Sequence, residues 1–251
     1  MDQVSKAKRL AELHVQGTPL VLYNVWDAGS AKAVAAAGAP VIATSSWEVA
    51  KAQGYEDGQA IPLEFAESIL ARIAASVDLP VSADFEGGYT EDDAQLAENI
   101  SRLIASGIVG INFEDQIVNG PDLYPLDRQA QRIAAIRAAA DKTGVPLFIN
   151  ARTDLFLGRG NDPEATVGAA VERAKAYADA GASSFFIPGL QEEHLIARIC
   201  EGVSLPVNVM VMDGVPPNER LAEIGVRRIS YGPIPFINTM KALELEAAKL
   251  F

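Results

Sequence analysis

Cysteine is nearly absent: the 251-residue chain has one, Cys200. A single thiol cannot form an internal disulfide, so a reducing compartment is expected, by default the cytoplasm. Histidine is as scarce, with only His14 and His194. No apolar run reaches the roughly 18 residues that a membrane helix needs. The basic start, MDQVSKAKRL, is followed by no apolar core, so neither a membrane span nor a signal peptide is expected. Positive charge is in deficit, with 21 Lys and Arg against 33 Asp and Glu and a net charge of −12. Such a chain repels phosphate backbones, and nucleic acid is not an expected partner. A small acidic substrate stays compatible, because a metal and an arginine can reverse the field inside a pocket. Charge blocks and low-complexity segments are also missing, so no disordered tail is expected.

What the chain has is a repeated strand–helix unit in a 49% hydrophobic sequence. Short apolar or β-branched runs fall at 20–25, 40–44, 80–84, 109–114, 146–151, 184–188, 206–211 and 227–230. Helical patterns lie between most of them, as at 62–77, 92–106, 127–142 and 164–180, with a last helix at about 235–249. Pro19, Pro80, Pro146 and Pro206 open the odd strands, while Gly38, Gly107, Gly181 and Gly225 close the helices before the even ones. Proline can begin a strand without losing a needed ladder bond, and glycine suits a left-handed helix end. Eight such strands predict α/β architecture, a single (β/α)8 TIM barrel over residues 1–251, at a length typical of such barrels. An open doubly wound sheet is the alternative. It would normally carry GxGxxG after its first strand, where this chain has WDAGSAKAV.

Barrel enzymes place their chemistry at the C-terminal ends of the strands. The third strand ends Asp84-Phe85-Glu86-Gly87-Gly88, the fourth Asn112-Phe113-Glu114-Asp115-Gln116, and the fifth Asn150-Ala151-Arg152-Thr153-Asp154. Residues two apart in an extended chain share a side, so Asp84 and Glu86 should face together. Asp84, Glu86 and Glu114 converging on one mouth would repel each other without a cation. Oxygen ligands with no clustered His or Cys favour Mg2+, or Mn2+, over zinc. Arg152 offers a fork for a carboxylate or phosphonate. Acidic residues after strands also cap helices, which is the plain structural alternative for Asp84, Asp115 and Asp154.

At these residues the sequence resembles the isocitrate lyase/phosphoenolpyruvate mutase family. The resemblance runs from about residue 17 to 235, through WDAGSAKAVAAAGAPVIATSS, GYEDG, VSADFEGGY, GINFEDQ, NARTD and LPVNVM. It implies a (β/α)8 barrel, Mg2+, and a 2-oxo or hydroxy acid substrate whose C–C or P–C bond breaks or forms through a metal-held enolate. It also implies residue roles: Asp84, Glu86 and Glu114 at the metal, with Glu86 where a second aspartate is usual; Asp57 in the loop near the reacting centre; Arg152 gripping substrate; and Ser45, Ser46 and Trp47 cradling its carboxylate. A homo-oligomer, dimer or tetramer, is implied as well, commonly with a C-terminal helix exchanged between subunits.

The loop after Glu114 departs from the known branches. The lyase branch carries a catalytic cysteine there, and this loop, 116–125, has none. Cys200 belongs to the sixth barrel helix and is expected to be a buried small hydrophobe. The mutase and phosphonopyruvate hydrolase branch carries lysines in an EDKxxPK-like run. Gln116 and Gly120 stand at those positions, and Asn119 is not at the matching spacing for its amide. The loop is a lid in this family, where specificity resides. The expected reaction is therefore C–C cleavage of a small 2-oxo or hydroxy (di)carboxylic acid, with an oxaloacetate-type decarboxylase or lyase as an example. P–C chemistry and a non-catalytic metabolite binder are the alternatives. Tyr23, Asp57, Tyr124 and Asn208 are candidates to move or orient a proton. His14 and His194, in predicted helices outside the mouth, are expected at the surface.

Overall fold

The structure, a computed structural model, describes residues 1–118, 120–158, 160 and 162–251. Asn119 lies outside them. Eight parallel strands run β1 (Leu20–Leu22), β2 (Ile42–Ala43), β3 (Val81–Asp84), β4 (Gly110–Glu114), β5 (Phe148–Arg152), β6 (Ser184–Phe186), β7 (Val207–Met210) and β8 (Arg228–Ser230). From β2 onward each pairs with the next, and β8 pairs with β1. Between β1 and β2 the ring is closed by one bridge, Val25 with Thr44, made by the Val25 N–H to the Ala43 carbonyl at 2.9 Å. That is the (β/α)8 barrel, and the open sheet is excluded. β1, β6 and β7 end before their apolar runs do, where the chain leaves the ladder for the mouth, whereas β3, β4 and β8 keep the ends of their runs and start a residue later.

The helices are α1 (Gln3–Glu12), α2 (Ala28–Ala36), α3 (Ser46–Ala52), α4 (Leu63–Ser76), α5 (Asp93–Ala105), α6 (Leu126–Thr143), α7 (Pro163–Asp179), α8 (Glu193–Gly202), α9 (Asn218–Glu223) and α10 (Ile234–Ala247). Their starts follow from local chemistry. Asp27, Asp92 and Asp162 each cap a helix with a side-chain oxygen, Asp27 reciprocally with Ser30. Gly107 and Gly181 sit at φ +100° and +98° where the chain turns from helix to strand, a region that a side chain strains. Pro80 and Pro206 enter β3 and β7, each lending its carbonyl to the neighbouring strand. Leu96, Ile100, Leu103 and Ile104 make the buried stripe of α5. Among the described residues no helix is long and apolar enough to cross a membrane.

Two departures matter. After Phe236, α10 stays largely exposed, with Ile237, Leu243 and Leu245 at 49%, 62% and 55%. On the outer face of β1, Val21 and Tyr23 are also open. His14 corrects an expectation. It lies just past α1 and is buried, its ring stacked on Phe148 at 4.2 Å and its Nδ1 2.8 Å from the Leu10 carbonyl. The chain after α1 dips under the barrel floor instead of staying on the surface. His194 is exposed, as expected.

Burial, then the charge of Arg228, push the His14 pKa down to about 3, against an ordinary 6.5. The unfolded chain therefore binds a proton between these values that the folded one refuses. Stability is full above pH 6.5 and falls as pH drops toward 3, by up to about 1.4 kcal/mol per pH unit from this group. Urea unfolding of His14→Phe, which keeps the stacking, should show a pH slope shallower by about one proton over pH 6 to 4. An unchanged slope would rule out the buried neutral imidazole.

Candidate active site

The mouth is built on register. Asp84 stands level with Asn112, which stands level with Asn150; Glu114 stands level with Arg152. A cavity of about 160 Å³ opens at this level, lined among others by Ser45, Ser46, Trp47, Asp57, Asp84 and Arg152. It is smaller than the roughly 300–1,000 Å³ of drug-sized pockets and suits a small acid.

Asp84 is held from one side. Its Oδ2 accepts from the Ser46 N–H (3.0 Å) and hydroxyl (2.9 Å), while its own N–H donates to Thr44 Oγ1 (2.9 Å). Its Oδ1 is buried and accepts nothing. The Ser46 hydroxyl also reaches Asp57 Oδ1 at 3.3 Å, which ties the exposed 55–60 loop to the mouth. Glu86 reaches the site by a different route from the one expected. β3 ends at Asp84, and Glu86 has a left-handed φ of +48°. The turn, not strand alternation, brings its carboxyl back. Glu86 Oε2 is likewise buried without a partner. Burial first, then the like charges of Glu114, Asp84 and Asp57, push Glu86 up to about 9. Burial pushes Glu114 up to about 8 against the pull of Arg152. Glu86 and Glu114 are buried at 4% and 7% exposure beside the cavity and do not line it.

Arg152 is not a free fork. Its Nε and Nη2 grip Asp154 at 2.5 and 2.8 Å, and its Nη1 meets Glu114 at 3.0 Å. Asp154 is therefore a partner of Arg152 and not a helix cap. Nor does Asp115 cap a helix. Fully buried, it accepts from the Asp154 N–H (3.0 Å), Arg173 (3.1 Å) and Tyr177 (2.9 Å), which locks the end of β4 to the end of β5 and to α7.

The carboxylate loops are braced from α6. Gln129 donates to the Glu114 carbonyl at 2.9 Å. Arg132, buried between the rings of Phe113 and Tyr124, donates to the carbonyls of Gly87 (2.6 Å) and Thr90 (2.8 Å). With its amide oriented to satisfy both ends, the Gln59 carbonyl accepts from the N–H groups of Gly87, Gly88 and Tyr89. None of these braces was singled out from the sequence. Arg132 lies mid-helix, where an arginine ordinarily means a solvated face.

Two further expectations are corrected. Tyr23, 43% exposed, turns outward against Tyr231, and its neighbour Asn24 lines the cavity instead. Asn208 is fully buried, trading hydrogen bonds with Ser230 at 3.2 Å beneath the cavity wall. Tyr124 packs on Arg132, and no described residue of 116–125 lines the main cavity. Gln116 is tied to its own loop at Ile117 and Gly120. Cys200 sits partly buried in α8, far from the mouth, and burial pushes its thiol up to about 12.

Does this suit a cation? Among the described residues no three Asp, Glu, His or Cys side chains form a ready-made metal cage. Magnesium does not need one, since it keeps several waters and commonly takes one or two carboxylates. The buried, unpaired Asp84 Oδ1 and Glu86 Oε2 supply hard oxygen donors, and the setting disfavours charge on Glu86. The donor set fits.

Residues 10–251 match the family described as phosphoenolpyruvate phosphomutase. The chain belongs to this family. Its superfamily comprises lyases and mutases. A Burkholderia cenocepacia J2315 protein provisionally described as a phosphonomutase superposes with a TM-score of 0.94 and 45% identity, covering 97% of this chain and 99% of that one. An oxaloacetate decarboxylase of Pseudomonas savastanoi pv. phaseolicola is 31% identical over 71% of this chain and 61% of its own. A phosphonopyruvate hydrolase in complex with oxalate and Mg2+ shares the fold, with a TM-score of 0.85 at 21% identity over 98% of this chain and 86% of that one.

The Asp115 network yields a stability prediction. Asp115→Ala strands Arg173 and Tyr177 in the interior and should cost about 3 kcal/mol in urea unfolding, the scale of a broken buried ion pair. A loss under about 1 kcal/mol, the worth of an exposed pair, would show that the network is not the clamp between β4 and β5.

Proposed function

We propose that the protein is a Mg2+-dependent enzyme that cleaves a C–C bond of a small 2-oxo or hydroxy (di)carboxylic acid, with an enolate as the product of cleavage. One observation carries this reading: the buried, unpaired oxygens of Asp84 and Glu86 beside the arginine-bearing end of β5. Bound magnesium supplies Lewis acidity at a substrate carbonyl. The chain supplies the rest. Ser46 fixes Asp84, Asp154 and Glu114 fix Arg152, and Ser45 and Trp47 at the start of α3 line the cavity wall. Holding the acid in one pose turns binding into reactive geometry. Asp57, at the cavity rim on an exposed loop, is placed to exchange a proton between solvent and the carbon that loses its substituent. Decarboxylation of a 2-oxo dicarboxylate needs little more. The test is a panel of 2-oxo and 2-hydroxy acids with and without EDTA. Turnover should vanish with EDTA and fall at least about 100-fold in Glu114→Gln, the scale of losing a fixed electrostatic contact. Turnover indifferent to both would sink the reading.

A P–C bond reaction is the second reading, favoured by the 45% identity to the Burkholderia protein. Release of phosphate or pyruvate from phosphonopyruvate separates the two.

The raised carboxyls make metal binding pH-dependent. Glu86 and Glu114, pushed up to about 9 and 8, hold protons at pH 7 without a metal. Magnesium must displace them, so its affinity should rise from pH 6 to 8, with about one to two protons released on binding. Calorimetry in two buffers of different ionisation enthalpy reads that number, and zero release would exclude these groups from the site.

We further infer that the chain forms a homo-oligomer through α10. A barrel ordinarily covers every strand with its own helix. Here the outer face of β1 stands open at Val21 and Tyr23, while α10 leaves Leu243 and Leu245 uncovered. A second copy's α10 would fill one gap with the other. Light scattering should give a dimer or tetramer, and Leu243→Glu with Leu245→Glu should shift it toward monomer. A monomeric wild type would refute the inference.

A further inference from the structure

The floor of the cavity holds an amide whose two ends are in unequal states. Asn112, 7% exposed, lines the cavity from β4. Its Oδ1 accepts twice, from Asn150 Nδ2 at 2.8 Å and from Arg228 Nη2 at 3.1 Å. A guanidinium only donates, so the Asn112 atom facing Arg228 must be the oxygen. Asn150 is itself fixed, its Oδ1 accepting from the buried Ser184 hydroxyl at 2.5 Å. The chain of donors runs one way, from Ser184 through Asn150 to Asn112, and Arg228 joins from β8. The planar amide then carries its Nδ2 at the opposite corner, away from both donors. That nitrogen has no hydrogen-bond partner among the described residues.

The other asparagines near the mouth differ. Asn24 gives its Nδ2 to the Thr44 carbonyl and takes the N–H groups of Tyr231 and Gly232 on its oxygen. Asn208 is consumed by Ser230. Arg228, 1% exposed, meets no carboxylate within ion-pair distance among the described residues, and its Nε and Nη1 are unpartnered. A fixed positive charge therefore lies under a fixed N–H2 group.

We propose that Asn112 is a substrate-binding residue whose amide N–H2 donates to a negatively charged oxygen of the bound acid, and that Arg228 is the positioning residue that holds it in this sense. The inference rests on the reading of the cavity as a small-acid site. It adds a selection rule. An N–H2 donor above a buried cation favours a carboxylate, keto or enolate oxygen at this point of the cavity over an ammonium group, so a 2-oxo acid binds more tightly than the matching 2-amino acid posed the same way.

The test is calorimetric binding of oxalate, a compact dianion, to the full chain with Mg2+ present. Asn112→Ala should weaken binding roughly 10- to 100-fold, the size of one hydrogen bond to a charged group. Asn112→Asp keeps acceptors for Arg228 and Asn150 but shows the cavity an oxygen, so it should bind oxalate more weakly than Asn112→Ala while unfolding at a higher temperature. A purely structural role predicts the reverse order, and that order overturns the proposal. Asn112→Leu fills the same space with no donor and should lose as much as Asn112→Ala. It carries the test if the aspartate variant does not fold, and wild-type-like binding by it overturns the proposal. Arg228→Lys should weaken binding in wild type and have little further effect in Asn112→Ala, because its action passes through that amide. Additive losses would remove Arg228 from the role. If wild type binds no oxalate and turns over no 2-oxo acid, the small-acid reading falls and this inference with it. If wild type binds and only the variant order is wrong, the small-acid reading stands.

Discussion

Uncompensated negative charge at the C-terminal mouth is the constraint that the rest of the site answers. Asp57, Asp84, Glu86, Glu114 and Asp154 gather there, and Arg152 pairs with Glu114 and Asp154 at their level. Burial makes the repulsion worse, because charges out of water are screened less. The protein's own response is visible in the carboxyls held up near 8 and 9. A proton on Glu86 or Glu114 is the cheapest local answer, and a divalent ion is a stronger one.

Holding such a cluster requires scaffolding outside it. Arg132 and Gln129 from α6 pull on backbone carbonyls, so they fix the 87–90 and 114 segments without touching the carboxyls. Gln59 does the complementary work on the N–H side of the same turn. Glu86 sits at φ +48°, which costs about a kcal/mol or more in a non-glycine residue, and these bonds are what over-determine it. Asp115 uses the same logic on the next strand, taking one backbone N–H from the end of β5 and two side chains from α7. Gln59 and Gln129 carry no charge, Arg132 spends its charge on backbone carbonyls, and Asp115 is paired with Arg173, so the braces leave the mouth's balance unaltered.

The strand ends were legible because the barrel's alternation of proline-opened strands and glycine-closed helices is local chemistry. Which side chains point inward was less legible. Strands of a parallel barrel are buried on both faces, so apolar–polar alternation does not set their phase. That is why Tyr23 and Asn24 could not be told apart, and why Asn208 was placed one layer too high. Glu86 was assigned to the mouth by an extended-chain argument that the structure replaces with a left-handed turn. His14 escaped because a chain that dips under the floor after a helix leaves no periodic signal. One signal in the sequence does mark the inward layer. Asn112, Asn150, Asn208 and Arg228 are polar residues inside otherwise apolar strand runs. In a packed barrel such residues have to be paired with one another in an inward layer.

That layer changes the electrostatics of the cavity. The walls at strand-end level carry negative charge, and the layer beneath carries Arg228, with no carboxylate in contact among the described residues. A ligand entering alone meets repulsion from Asp57 and Asp84 before it can reach the floor. A cation at the Asp84–Glu86 oxygens removes that barrier and leaves the buried arginine as the unopposed field. Cation first and acid second is then the favourable order. On the proposed reading the pair would bind as a unit, because neither half of the site is neutral without the other.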